Sequence, residues 1–542
     1  MLRAGQVFTG DQDRPWVSAV ALRGDRIAAV GTDNELAALV GPRTEVVELH
    51  GRTVLPGLHD AHVHPLGAGR EQQGCPLSDA KSVDDILARV RACAAARPGD
   101  GWIVGRGWDL SLFPQANPHK RLLDDAVPAR PVYLEGADGH SGWLNSAGLA
   151  RAGITKDTPN PAQGVIERDA DGAPSGTVRE AAAALVEDLL PEPSLDDDVR
   201  ALRWAVEQLH RAGITSIMDA GVDERRLEAY RRLADDGSLR LRGVACVVVE
   251  PVDAAAAVAK ARALRARFTD LPLRPSCAKI FLDGVLEGET AALLEPYLDR
   301  PGHTGALNAT QGQLDQTVTL LEADGFAVHM HVIGDAAVRA ALDAYRAATL
   351  ANGKPGRHRT LAHLQLVHPD DMRRFAELGV AVNAQSLWAY PDSYIRDVNL
   401  PQVGQERVDR MYPWGSLVRA GASVVGGSDW PVTTVDPLEA VEVMVRRQDP
   451  ALEEGPMLGK GEGLPLETAL RAYTSEAARL LGHEQEIGVL RAGARADLVV
   501  LDRALAADRP TELSEAEPWL TYFDGAVVFR AAVPNGAPGP PR

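Results

Sequence analysis

Hydrophobic and polar positions alternate with one dominant rhythm through most of this 542-residue chain. Apolar runs of strand length occur at 54–64, 214–220, 243–249, 277–282, 327–333, 360–364, 380–385 and 423–429. Between most of them lies a segment with apolar residues three and four positions apart, the period of an amphipathic helix. One is Val199, Leu202, Val206 and Leu209. Another is Val338, Leu342 and Tyr345, with Asp335 as its expected N-cap. A third, Met372, Phe375 and Leu378, begins at Pro369, a residue suited to a first helical turn. Eight strands alternating with helices predict a parallel α/β TIM (β/α)8 barrel.

The two chain ends break this rhythm. Segments 16–22, 26–30 and 45–49, and then 497–501 and 521–529, mix β-branched residues with turn signals, including the hairpin dipeptide Asp524-Gly525. The expectation is a small β-sandwich domain made from 1–55 plus 486–533, flanking a barrel domain over 56–485. Residues from about 66 to 196 are too many for one barrel connection. They include a helix at 82–97 with a Ser-x-x-Asp start. This insertion is predicted to cover the barrel mouth. The segment 534–542, rich in Pro and Gly, is expected to be a disordered tail.

Composition narrows the class of partner. Hydrophobic residues at 45% and charged residues at 24% suit a globular fold, and a net charge of -18 disfavours nucleic acid and anionic membranes as partners. No run of the chain reaches membrane-spanning length, and its start lacks the pattern of a secretory signal. Cys75, Cys93, Cys246 and Cys277 have no paired-motif spacing, so four free thiols and a cytoplasmic location are expected. A small-molecule substrate is the expected partner, with a homodimer left open.

Candidate chemistry gathers at the ends of the predicted strands. His62 and His64 are two apart, so both side chains leave one face of a strand and can reach one ion. His331, His363 and Asp429 close three further strands, on the rim where barrel active sites sit. Taken singly, each is as well explained by a hydrogen-bonded histidine or a capping aspartate. Five such residues on one rim point to a metal centre.

The ordered motifs carry a resemblance. They are Pro56-Gly-Leu-His-Asp-Ala-His-Val-His64, Asp138-Gly-His-Ser-Gly-Trp-Leu-Asn145, Gly164-Val-Ile-Glu-Arg-Asp169, Lys279-Ile-Phe-Leu-Asp-Gly284, His331-Val-Ile-Gly-Asp335, Gly427-Ser-Asp-Trp-Pro-Val432 and Ala494-Arg-Ala-Asp-Leu498. Over nearly the whole chain these resemble the amidohydrolase superfamily, within it the family 3 group that includes N-substituted formamide deformylases. The resemblance implies His62, His64, His331 and His363 as ligands of zinc or another divalent metal, in one or two ions. It implies Asp429 as ligand and catalytic proton carrier, and Lys279 as a residue that carbon dioxide can carboxylate to bridge two metals. It implies cleavage of a C–N bond by a metal-activated water, in an N-formyl or N-acyl amide. A deaminase, a hydrolase of cyclic amides, esters or carbamates, and a non-catalytic metal-binding barrel are the alternatives. Trp108, His140, Trp143, Asn145 and Trp388 are the expected substrate contacts, and His59 and His329 the expected supports of the ligand set. Two departures stand out: Ala362 where relatives have Glu, and Trp388 where they have His.

Overall fold

The computed structural model describes residues 1–354, 356–506 and 509–532. The expected tail, 534–542, lies outside them. All eight predicted barrel strands form, in chain order, in one eight-stranded parallel sheet. They are Leu58–Val63, Ile214–Val222, Arg242–Val248, Leu273–Phe281, Ala327–Val332, Arg359–His363, Val380–Ala384 and Val424–Gly426. The sheet is nearly closed. Between the first and eighth strands, Asp429 N–H donates to His62 O at 2.7 Å and His64 N–H to Trp430 O at 2.9 Å. Ala61, Met218, Cys246, Cys277, Ala381 and Val425, from six different strands, pack in one cluster that only a curled sheet can assemble.

Helices form where the apolar period and a cap coincide. Ser194 accepts from Asp197 N–H and Asp197 answers to Ser194 N–H, a capping box that starts Leu195–Arg211, whose Leu202, Val206 and Leu209 are buried. Asp335 is not a cap: it is the first helical residue of Asp335–Asn352, Gly334 holds the cap position, and the Asp335 carboxylate instead accepts from Leu294 N–H. Pro369 opens a 3₁₀ turn, Pro369–Asp371, that leads into the helix Met372–Leu378.

The chain ends build a four-stranded and a six-stranded sheet. Leu2, Val20 and Ile27 of one sheet share a buried cluster with Val7, Val54, Leu498, Val500 and Leu520 of the other. The predicted run 54–64 divides at Gly57: Thr53–Pro56 joins the end sheet and Leu58–Val63 the barrel. Asp524 and Gly525 both take positive φ, 49° and 75°, and turn the hairpin Pro518–Phe523/Ala526–Arg530.

The insertion between the first barrel strand and Leu195–Arg211 has a six-stranded sheet of its own. Its helix Val83–Ala96 is capped by Ser82. Its core is built from Ile86, Val90, Trp108, Phe113, Leu134 and Trp143, joined by Val398 from the segment after the seventh barrel strand.

The four cysteines are not free. Cys75 of the insertion's edge strand is bonded to Cys93 of the following helix, and Cys246 to Cys277. The latter two face each other in register on the third and fourth barrel strands, with Cα atoms 4.3 Å apart. Sequence separations of 18 and 31 gave no sign of this, because only the fold brings the partners together. The inference of a reducing compartment loses its basis. Among the described residues no helix is long and apolar enough to cross a membrane.

Gly243, the second residue of the third barrel strand, has φ +147°, and a Cβ there would lie 1.9 Å from the carbonyl oxygen of Ile217 on the neighbouring strand. Gly243→Ala must push two strands apart. Its expected cost is on the order of 1–3 kcal/mol, read as a lowered midpoint in urea unfolding.

Candidate functional site

The ends of the first, fifth, sixth and eighth barrel strands converge on one cavity of about 380 Å³, which the insertion roofs through Ala137, Asp138 and His140. His62 and His64 leave the first strand as expected. Their Nε2 atoms lie 3.3 and 3.2 Å from one oxygen of Asp429. His363 Nδ1 is 3.8 Å from the other oxygen. His331 stands edge-on to His363 with ring centres 4.5 Å apart. Ligand atoms of His62, His363 and Asp429 lie within 4.8 Å of one another, close enough to hold one ion.

Backbone conformation contributes to this convergence. His363 and Asp429 adopt φ of 75° and 58°, left-handed values that are uncommon for residues with a Cβ. Each is held there by neighbours. His363 N–H donates to Gln385 Oε1 at 2.8 Å, Gln385 Nε2 donates to Asn383 Oδ1, and Asn383 Nδ2 donates to Ala61 O. On the other side, Asp60 accepts from the N–H groups of His62 and Ser428 and from the Ser428 hydroxyl. Asp60 therefore binds the first strand to the loop that carries Asp429. Its position inside the first motif was readable; its role was not, since a carboxylate that binds backbone N–H groups looks like any buried Asp.

The remaining histidines support the set. His329 and His62 share a hydrogen bond of 3.0 Å between Nε2 and Nδ1, and His59 Nδ1 meets Ser216 Oγ at 2.6 Å. Burial pushes the His62 imidazole down to about 3, and holds His331 and His363 well below their usual range. These rings are neutral, the form that binds metals. Burial opposes the ionised Asp429, yet the His62, His64 and His363 rings around it outweigh burial and keep its carboxyl well below the ordinary value.

The donors fit a divalent cation. His363 is 1% exposed and neither ring nitrogen has a hydrogen-bond partner; Lys279 Nζ is equally buried and unpartnered, 4.7 Å above the Phe281 ring. Buried polar atoms without partners are rare, and their concentration at one spot marks a place for a missing ligand. Imidazole and carboxylate donors suit zinc.

A sequence model of the amidohydrolase family matches residues 45–529. The chain belongs to the amidohydrolase family. Its family 3 character agrees with two relatives covered almost end to end. The Bacillus subtilis protein YtcJ is 30% identical over 97% of this chain and 98% of its own length. The N-substituted formamide deformylase of Arthrobacter pascens is 29% identical over 98% of both. Among solved structures, an uncharacterized metal-dependent hydrolase from Pyrococcus horikoshii OT3 is similar at 25% identity and a TM-score of 0.72, over 95% of this chain and 98% of that one.

Not every expected substrate contact of this amidohydrolase reaches the cavity. Trp388 does, stacked on His363 at 5.1 Å between ring centres with planes 6° apart. His140 does too, paired with Glu180 at 2.8 Å and beside His331. Trp108, Trp143 and Asn145 do not. The two indoles are fully buried edge-to-face in the insertion's own core. Asn145 caps Ser146–Arg151 and ties down Val127, Arg130 and Val132. They shape the roof without touching what lies beneath it. Arg226, Arg106 and Glu135 line the cavity and had no motif to reveal them.

Burial works against a charged His140, but Glu180 overrides it and lifts the imidazole to about 9. A base raised in the folded state contributes stability in full below its ordinary value of 6.5 and loses that contribution as pH climbs through about 9. In chelator-treated protein, where no cation competes, the melting advantage of the wild type over Glu180→Gln is expected to shrink across that window.

Proposed function

We propose that this amidohydrolase hydrolyses the C–N bond of a small-molecule amide, an N-formyl or N-acyl amine, with a zinc or similar divalent ion held by His62, His64, His331, His363 and Asp429. The observation that carries the reading is the meeting of a His–His–Asp cluster with unpartnered, fully buried nitrogens at the floor of a substrate-sized cavity. The likeness to a relative named N-substituted formamide deformylase favours the formyl or acyl amide as substrate.

A cation at this position supplies a Lewis acid for the amide carbonyl and brings the pKa of a bound water down to about 7. The chain's own residues do the rest. Asp429, kept ionised by the surrounding imidazoles, accepts the proton of the attacking water and hands it to the leaving nitrogen as the C–N bond breaks. The products are a carboxylic acid and an amine. His62, His64 and His363 hold that carboxylate in place, and Trp388 offers a flat face against which the acyl group rests.

Lys279 has a further part in this reading. Burial brings its ammonium down to about 7, so the free amine is well populated at neutral pH. Addition of Nζ to carbon dioxide would give a carbamate and one proton, and the carbamate would add an anionic oxygen donor to the residues that would hold the cation.

A screen of N-formyl, N-acetyl and cyclic amides, with metal content measured on the same sample, tests the proposal. Asp429→Asn is expected to lower kcat about 100- to 10,000-fold, while most of the metal stays on the four histidines. His363→Ala is expected to lose metal and activity together. Undiminished turnover by metal-stripped protein, or by Asp429→Asn, would end the reading; ammonia in place of an amine product would redirect it to a deaminase.

A further inference from the structure

Behind Trp388 lies a second cavity, of about 170 Å³. Trp388, Asp138, Val285 and Val432 line both cavities, so the two are neighbouring compartments with the indole as their partition. The back compartment has a one-sided chemistry. Asp138, Glu287 and Asp392 face it, among the described residues no Lys, Arg or His does, and Tyr390 and Tyr394 add aromatic surface.

Gln365 sharpens this. It lines the compartment and is only 3% exposed. The direction of its hydrogen bonds is fixed by a relay. Glu287 Oε1 can only accept, so Asn399 donates to it through Nδ2 at 3.1 Å. Asn399 Oδ1 must then accept, and it does so from Gln365 Nε2 at 3.0 Å. The relay commits Gln365 Nε2 to Asn399 and leaves Gln365 Oε1 as the end of this side chain free to accept from a guest in the compartment. Asp392 uses one oxygen to accept from Ile395 N–H. The compartment therefore presents carboxylate and amide acceptors, and the donor groups that line it, the Tyr390, Tyr394 and Thr433 hydroxyls and the Trp388 indole N–H, carry no charge. Burial pushes the Asp392 carboxyl up to about 7, and Glu287 and Asp109 add to the shift against the opposing pull of Arg396.

We propose that the back compartment is a subsite for a protonated nitrogen on the amine half of the substrate, so that the preferred substrates are N-acylated diamines or similar N-acyl compounds bearing a second, basic nitrogen. The geometry favours an organic ammonium over a hydrated metal ion. Val285, Ile333, Leu387 and Ile395 give the compartment apolar sides that solvate carbon and not a water shell, and the faces of Trp388 and the two tyrosines suit a cation next to a π-system. The ammonium donates to Gln365 Oε1 and the carboxylate oxygens while the amide sits at the His–Asp cluster. This substrate assignment rests on the amide-hydrolysis reading; the subsite itself does not.

Two measurements on the metal-loaded enzyme separate those claims. The first compares kcat/KM for N-formyl diamines of graded length with uncharged N-formyl alkylamines of matched length. A preference of tenfold or more for the diamine series is expected, and Asp392→Asn and Glu287→Gln are each expected to reduce that ratio at least fivefold. The second is calorimetric binding of the free diamines, which needs no turnover. Wild type is expected to bind them, and both variants more weakly. Binding without hydrolysis of any amide keeps the subsite and removes the reaction. Hydrolysis with no preference between the series, or a ratio untouched by both substitutions, overturns the subsite. Loss of preference on adding calcium or magnesium ions would assign the compartment to a metal instead.

Discussion

The whole site depends on how the barrel closes between its first and last strands. The eighth strand is short, Val424–Gly426, and the closure is carried largely by hydrogen bonds outside the strand ladder. Asp60 holds Ser428, Asp429 donates to His62 O, and Asn383 reaches Ala61 O. These bonds set the distance between the first-strand histidines and Asp429. Hydrogen bonds between a carboxylate and neutral imidazoles are stronger in a medium poorer in water than the surface. The same contacts that close the sheet thus fix the geometry of the His–Asp cluster.

Burial then sets the charge states. Neutral imidazoles cost less to bury than imidazolium ions, and the low-lying Asp429 carboxyl is the one firm negative charge among them. The unpartnered nitrogens of His363 and Lys279 are a standing free-energy cost that, for His363, a bound cation would offset. Stability and loading with metal are in this sense coupled.

Much of the barrel was legible because parallel strands buried on both faces write themselves as apolar runs, and because His62, His64, His331, His363 and Asp429 sit at the ends of those runs. What could not be read depended on contacts distant in sequence. Cys246 and Cys277 become neighbours only through strand register, and Trp108 and Trp143 find each other only in the folded insertion. A motif tryptophan reads the same whether it faces a ligand or a core. Asp335 misled for a local reason: Gly334 supplies the extended cap conformation without a side chain, and the acid does its work one residue later, on Leu294.

The roof and the back compartment are mechanically one piece. Leu110 of the insertion donates its N–H to the Tyr394 hydroxyl at 3.1 Å, Ser111 meets Ser393 at 2.8 Å, and Val398 packs into the insertion's core. The segment so anchored supplies Tyr390, Asp392 and Tyr394 to the compartment but no member of the His–Asp cluster. Repacking of the indoles overhead would thereby reach the walls of the back compartment through this segment, which contributes none of the His–Asp cluster.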